Sequence, residues 1–105
     1  MLFRYDELKE CVEDDFNRFY EMGFSGNQIF PAVLNEYEHG EDFNQVENVC
    51  IHIFLISNYM GKNLDYSEIL EKVNLLITGE LKKEIEVCLG NDYSKFVSDL
   101  GAINN

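Results

Sequence analysis

Apolar residues return along this chain at every third or fourth position, with polar residues filling the gaps. Tyr5, Leu8, Val12, Phe16 and Phe19 lay one apolar stripe along a helix expected from about Asp6 to Met22. Asp6, Glu7 and Glu10 crowd its first turn, where the helix dipole favours negative charge, and Gly23 is expected to end it. Ser25 with Gln28 reads as a capping box. Proline, however, fits best at a helix's first position, so the second helix is expected to begin at Pro31 and end at Gly40. Asp42 with Gln45 repeats the capping pattern and opens a third helix through Phe43, Val46, Val49, Ile53, Phe54, Ile56 and Met60, stopped by Gly61. The run VCIHIFLI could stand as a strand by itself; the flanking periodicity and the length favour helix. Asp65 and Glu68 open a fourth helix through Ile69, Leu70, Val73, Leu76 and Ile77 to Gly79. Leu81, Ile85, Cys88 and Leu89 form a fifth ending at Gly90, and Tyr93, Phe96, Val97 and Leu100 a short sixth. No strand pair, low-complexity tract or internal repeat interrupts this reading. The expected fold is all-α: one domain over residues 1–105, a compact bundle of five to six helices packed around a central hydrophobic third helix.

Composition agrees and adds a sign. A chain of 105 residues is one domain by size, and 46% apolar residues, eight Phe and six Tyr among them, supply its core. Twenty acids against eight bases leave a net charge of −12. Nucleic acid and anionic membrane surfaces are poor partners for such a protein, and a basic protein is a good one. The distribution sharpens this, because between Arg18 and Lys62 stand six acids and no base. Cys11, Cys50 and Cys88 form no C-x-x-C pair and lie among apolar neighbours, which reads as buried free thiols in a reducing compartment. MLFRYDELKE lacks the apolar run of a signal peptide, and no stretch is long enough to span a bilayer, so a cytoplasmic protein is expected.

Candidate chemistry concentrates in PAVLNEYEHGED, residues 31 to 42. Glu36 and His39 make one E-x-x-H, the spacing that sets a carboxylate and an imidazole on one helical face. A metal-dependent enzyme centred on them is one alternative. It lacks a second such motif and cysteines at zinc spacing, so no metal is expected. Glu36 and Glu38 diverge on a helix and do not form an acid–base pair. No nucleophile motif or glycine-rich phosphate loop is present, so neither catalysis nor a cofactor is expected. On a helical wheel, Val33, Leu34 and Tyr37 face inward on the second helix. Ala32, Asn35, Glu36 and His39 face outward, with Glu38 at the border. On the third, Asn44, Gln45, Asn48, His52 and Tyr59 form a polar stripe opposite Val46, Val49, Cys50, Ile53, Ile56 and Met60. The two polar faces meet at the acidic turn Gly40-Glu41-Asp42. Glu47 falls beside Phe43, Ile51 and Phe54, which suits either a partly buried carboxylate or a partner contact. His52 is likewise either a satisfied structural histidine or a binding residue. Ordinary surfaces mix both charge signs, and this one does not.

PAVLNEYEHGEDF followed by VENVCIHIFL resembles the small all-helical immunity proteins of bacterial polymorphic toxin systems, the group known as immunity family three. The likeness is best over residues 31–56 and looser at MGF near Met22 and at YSKFVSDL, residues 93–100. It implies an antitoxin that binds a cognate protein toxin, and it marks Asn35, Glu36, Tyr37, Glu38, His39, Glu41, Asp42 and Glu47 as fold or partner residues. Asn35, Glu36, Glu38, His39, Glu41 and Asp42, with Asn48 and His52 from the polar stripe, form the expected partner surface, while Tyr37 and Glu47 are either structural or part of it. Nuclease toxins carry basic clefts, so a basic nuclease domain is the expected partner, occluded by carboxylates where phosphates would bind. A general acidic helical adaptor is the other alternative, as is a mimic of nucleic acid that blocks a DNA-binding regulator.

Overall fold

The computed structural model describes residues 4–40 and 43–104. Among them are six α-helices and one short 3-10 turn, with no strand: α1 (Tyr5–Glu21), α2 (Gly26–Glu38), α3 (Gln45–Gly61), α4 (Ser67–Leu76), α5 (Gly79–Leu89) and α6 (Tyr93–Ile103). The all-α bundle expected from periodicity is what forms. Every other α-helix packs against α3. Val46, Val49, Tyr59 and every residue from Cys50 to Ile56 are buried, so the middle of α3 is enclosed on all sides, as an apolar stretch of helix must be. Each fully buried Ile, Leu or Phe there contributes roughly 1.5–3 kcal/mol. Among the described residues, no helix is long and apolar enough to cross a membrane.

α1 follows its stripe: Tyr5, Leu8, Val12 and Phe16 are buried, with Asp6 and Glu7 in the first turn and Arg18 in the last. Its end is a Schellman motif built on Gly23, whose φ of 91° a side chain would resist. The Phe24 N–H donates to the Phe19 carbonyl and the Gly23 N–H to the Tyr20 carbonyl, both at 3.1 Å. The Phe19 and Phe24 rings pack at 5.0 Å across the turn, the apolar contact that usually accompanies this cap.

Four boundaries differ from the sequence reading. α2 begins at Gly26, not Pro31, because the Ser25 cap outweighs the proline: the Ser25 N–H donates to Gln28 Oε1 at 2.9 Å. Pro31 therefore sits inside the helix and removes one backbone donor. Nearby, the Tyr59 hydroxyl donates to the Gly26 carbonyl at 2.5 Å, tying the first turn of α2 to the end of α3. α3 is capped by Asn44, whose Oδ1 accepts from the Glu47 N–H at 2.9 Å; the Asp42 cap lies outside the described residues. α3 ends at Gly61 as expected, although Gly61 is not the left-handed residue of its closing turn. Asn63, at φ 57°, supplies the left-handed residue, and the Leu64 N–H reaches the Tyr59 carbonyl at 2.9 Å. Gly79 opens α5 rather than closing α4, since the Thr78 hydroxyl oxygen accepts from the Leu81 N–H at 3.3 Å. At α4 the N-cap is Tyr66, with no side-chain cap, and not the expected Asp65, which lies one residue earlier and accepts from the Ser67 N–H and hydroxyl at 3.0 and 2.6 Å. Those bonds hold its carboxyl below the usual carboxylate range.

The ends of the chain meet. The Tyr5 hydroxyl donates to Asp99 Oδ2 at 2.6 Å, Lys9 Nζ reaches both Asp99 oxygens at 3.2 Å, and Lys95 Nζ lies 2.7 Å from Asp6. These bonds clasp α1 to α6. The cysteines correct one expectation: only Cys50 is buried, Cys88 is half-buried and Cys11 is exposed, all three free. Burial pushes the Cys50 thiol up to about 12.

The two glycine-rich helix ends give opposite signs for one substitution. An added Cβ meets nothing at either Gly23 or Gly61, and only Gly23 has a positive φ. Gly61→Ala should stabilise the protein by about 0.5–1 kcal/mol, and Gly23→Ala should destabilise it by about 1 kcal/mol or more. Urea unfolding midpoints that move in the same direction for both variants would refute this account of the two caps.

Candidate partner surface on the second and third helices

The C-terminal half of α2 presents two different sides. Toward α1, the Tyr37 hydroxyl donates to Asp15 Oδ2 at 2.7 Å. Arg18 bridges this carboxylate, at 3.5 Å, and that of Glu36, which it meets in a closer ion pair. The Arg18 guanidinium also lies 4.8 Å over the Phe19 ring. Burial, then the charge of Asp15, raises the Glu36 carboxyl above its ordinary range. Burial, then the bond to Asp15, raises the Tyr37 hydroxyl. Glu36 and Tyr37 thus belong to a charged seam that fastens α1 to α2.

Toward α4 lies a cleft of about 300 Å³. Leu34 and Glu38 of α2, Phe43, and Asn48 and His52 of α3 form one side; Lys72, Leu75 and Leu76 of α4 form the other. Its lining is mostly apolar, and Leu75 is 74% exposed. Among the described residues Glu38 takes part in no ion pair, although exposed. Lys72 is engaged, 3.8 Å from Glu68 and 4.7 Å over the Phe30 ring.

His52 is not on a solvated stripe. It is 2% exposed, its ring edge-on to Phe30 at 5.2 Å, because α4 packs over that side of α3. Tyr59, assigned to the same stripe, is buried as well, while Met60, assigned inward, is partly exposed. His52 Nδ1 lies 2.7 Å from the Asn48 carbonyl, so this nitrogen carries the proton and Nε2 keeps its lone pair. Burial holds the imidazole below its usual range, with the Lys72 charge acting in the same direction and the carbonyl opposing both.

The expected surface is therefore divided by the fold. Glu38, Asn48 and His52 share the cleft, while Glu36 and Tyr37 turn to α1. Asn35 and His39 stay exposed between them, His39 Nε2 lying 3.2 Å from Asn35 Oδ1. Glu47 is buried near the start of α3. Glu41 and Asp42 lie outside the described residues. Glu36 and His39 have separate partners, and among the described residues no group of three or more His, Cys, Asp and Glu side chains could hold a metal ion. Sequence reading missed Asp15, Arg18, Lys72 and Leu75, which reach this surface from α1 and α4. Arg18 alone gave a signal, as the last base before the base-free stretch.

Searches against protein-family models, curated proteins and solved structures find no match to the chain.

A histidine kept neutral by the fold makes stability depend on pH. Its folded pKa lies below the unfolded value, near 6.5, so the unfolded chain binds more protons between the two. The His52 contribution is thus complete above about pH 6.5 and is lost as pH falls toward the lower folded value, with a slope of at most about 1.4 kcal/mol per pH unit. Urea unfolding of wild type and His52→Gln at several pH values should show a difference that narrows on acidification. A constant difference would sink the claim.

Proposed function

We propose that this chain is an immunity protein that neutralises a cognate bacterial toxin, a basic nuclease domain, by covering its cleft with the acidic surface of α2 and the start of α3. The observation that carries the reading is the imbalance of charge: net −12, with no base between Arg18 and Lys62. Of the acids in that stretch, Glu36 is spent on Arg18, and exposed Glu38 is left for a partner. The resemblance of residues 31–56 to immunity family three supports the same reading. So does the layout of the fold, since the core residues of α3 are separate from the exposed carboxylates. Asn35, Glu38, His39, Glu41, Asp42 and Asn48 form the contact surface, and Glu36 acts through the seam with α1. The mechanism is occlusion: carboxylates occupy positions where substrate phosphates would bind, and the helical body blocks entry. No catalysis is required of the chain.

Such a complex forms by electrostatically steered encounter. Replacing Glu38, Glu41 and Asp42 together by Ala should slow association with the toxin domain encoded by the neighbouring gene by roughly tenfold or more. Added salt should slow the wild type in the same way. Stopped-flow association rates that ignore both salt and the triple substitution would leave only an adaptor whose acids confer solubility.

A further inference from the structure

The cleft between α2, α3 and α4 permits a narrower statement about the partner, one that rests on the reading of this face as a docking surface. Three features of the cleft point the same way. Leu75 is 74% exposed beside Leu34 and Leu76, an apolar surface that folding leaves open to water. The volume, about 300 Å³, leaves room for one large side chain and the residue beside it. The charges at the rim do not balance. Lys72 is engaged by Glu68 and by the Phe30 ring, while Glu38 has no ion pair among the described residues.

We propose that this cleft seats an apolar anchor side chain of the partner protein whose neighbouring residue is Lys or Arg, the anchor lying against Leu34, Leu75 and Leu76 and the cation meeting Glu38. The division of labour is the usual one at interfaces. A buried apolar anchor supplies affinity, and the charge pair at its edge supplies discrimination. A second copy of this chain is a poorer occupant, because two bodies of charge −12 repel. The groove between α5 and α6, lined by Ile77, Ile85, Phe96 and Val97, has Lys82 at its edge and would favour the opposite charge.

The test needs no toxin. The acetylated, amidated dipeptides Leu-Arg and Leu-Glu are titrated at millimolar concentration into the intact protein, with methyl resonances as the readout. Leu-Arg should shift the Leu34, Leu75 and Leu76 methyls and bind roughly threefold to tenfold better than Leu-Glu, the range a surface ion pair and its like-charge counterpart supply. Glu38→Gln should abolish that preference, and Leu75→Ser should weaken both peptides; both side chains are exposed, so folding is not at stake. Equal binding, a preference that survives Glu38→Gln, shifts centred on Val97, or no methyl shift would each overturn the proposal. Methyl shifts that appear on concentrating the protein without peptide would do the same, by assigning the cleft to a second copy. Because the toxin is absent, failure here leaves the steering experiment standing, and failure there leaves this one standing.

Discussion

A helix whose middle is enclosed on every side dictates the rest of this molecule. α3 spans Gln45–Gly61, and seven consecutive residues, Cys50 to Ile56, are shielded from water. That central stretch has no solvent face on which to leave polar groups, although Gln45 and Ser57 nearer the ends are exposed. Each polar residue it carries must be satisfied within the protein or at its ends. Asn44 is spent as the cap, His52 bonds the Asn48 carbonyl, and the Tyr59 hydroxyl bonds the Gly26 carbonyl. Among the described residues no buried side-chain nitrogen or oxygen lacks a partner. The other five helices are present largely to cover this one, which explains their amphipathic faces.

Scarcity of bases gives the few present a structural use. Lys9 and Lys95 close α1 onto α6, and Arg18 holds α1 to α2 through Asp15 and Glu36. Ion pairs on a surface contribute little each, so these contacts orient the outer helices more than they stabilise the fold. The surplus acids remain exposed, including Glu10, Glu13 and Asp14 along the outer side of α1. That surplus disfavours the compact state through self-repulsion, and it keeps the protein apart from copies of itself.

The helices were legible in the sequence because apolar spacing and end signals agreed. α1 shows this best: its stripe, its acidic first turn and Gly23 all held. Errors arose where two end signals competed. Ser25 and Pro31 both announced a start, and the cap prevailed because a proline inside a helix removes one donor while a missing cap leaves several unmet. Gly61 gave the one stop signal for α3, and the left-handed residue of the turn that follows is Asn63, whose short polar side chain tolerates that conformation. The wheel failed for α3, since a wheel presumes one wet side along the whole helix and the middle of α3 is covered all round; His52 and Tyr59 fall on the side that α2 and α4 cover. At the candidate surface, contacts within α2 and α3 could be read from spacing. Arg18, Lys72 and Leu75 could not, because they arrive from helices distant in sequence.

The exposed rim of the proposed docking face stands apart from the core, and this separation matters for how such a surface can change. Glu38 and Leu75 border the cleft while remaining exposed, so substitutions there leave α3 covered. Leu34, Phe43 and Leu76 pack against the edge of the core, and His52 lies deeper still. It lines the cleft and is also packed against Phe30 in the interior. Changing the rim alters which partner fits, whereas changing His52 disturbs rim and core together. A surface built this way can be retuned residue by residue against a varying partner, provided that the buried imidazole at its base stays fixed.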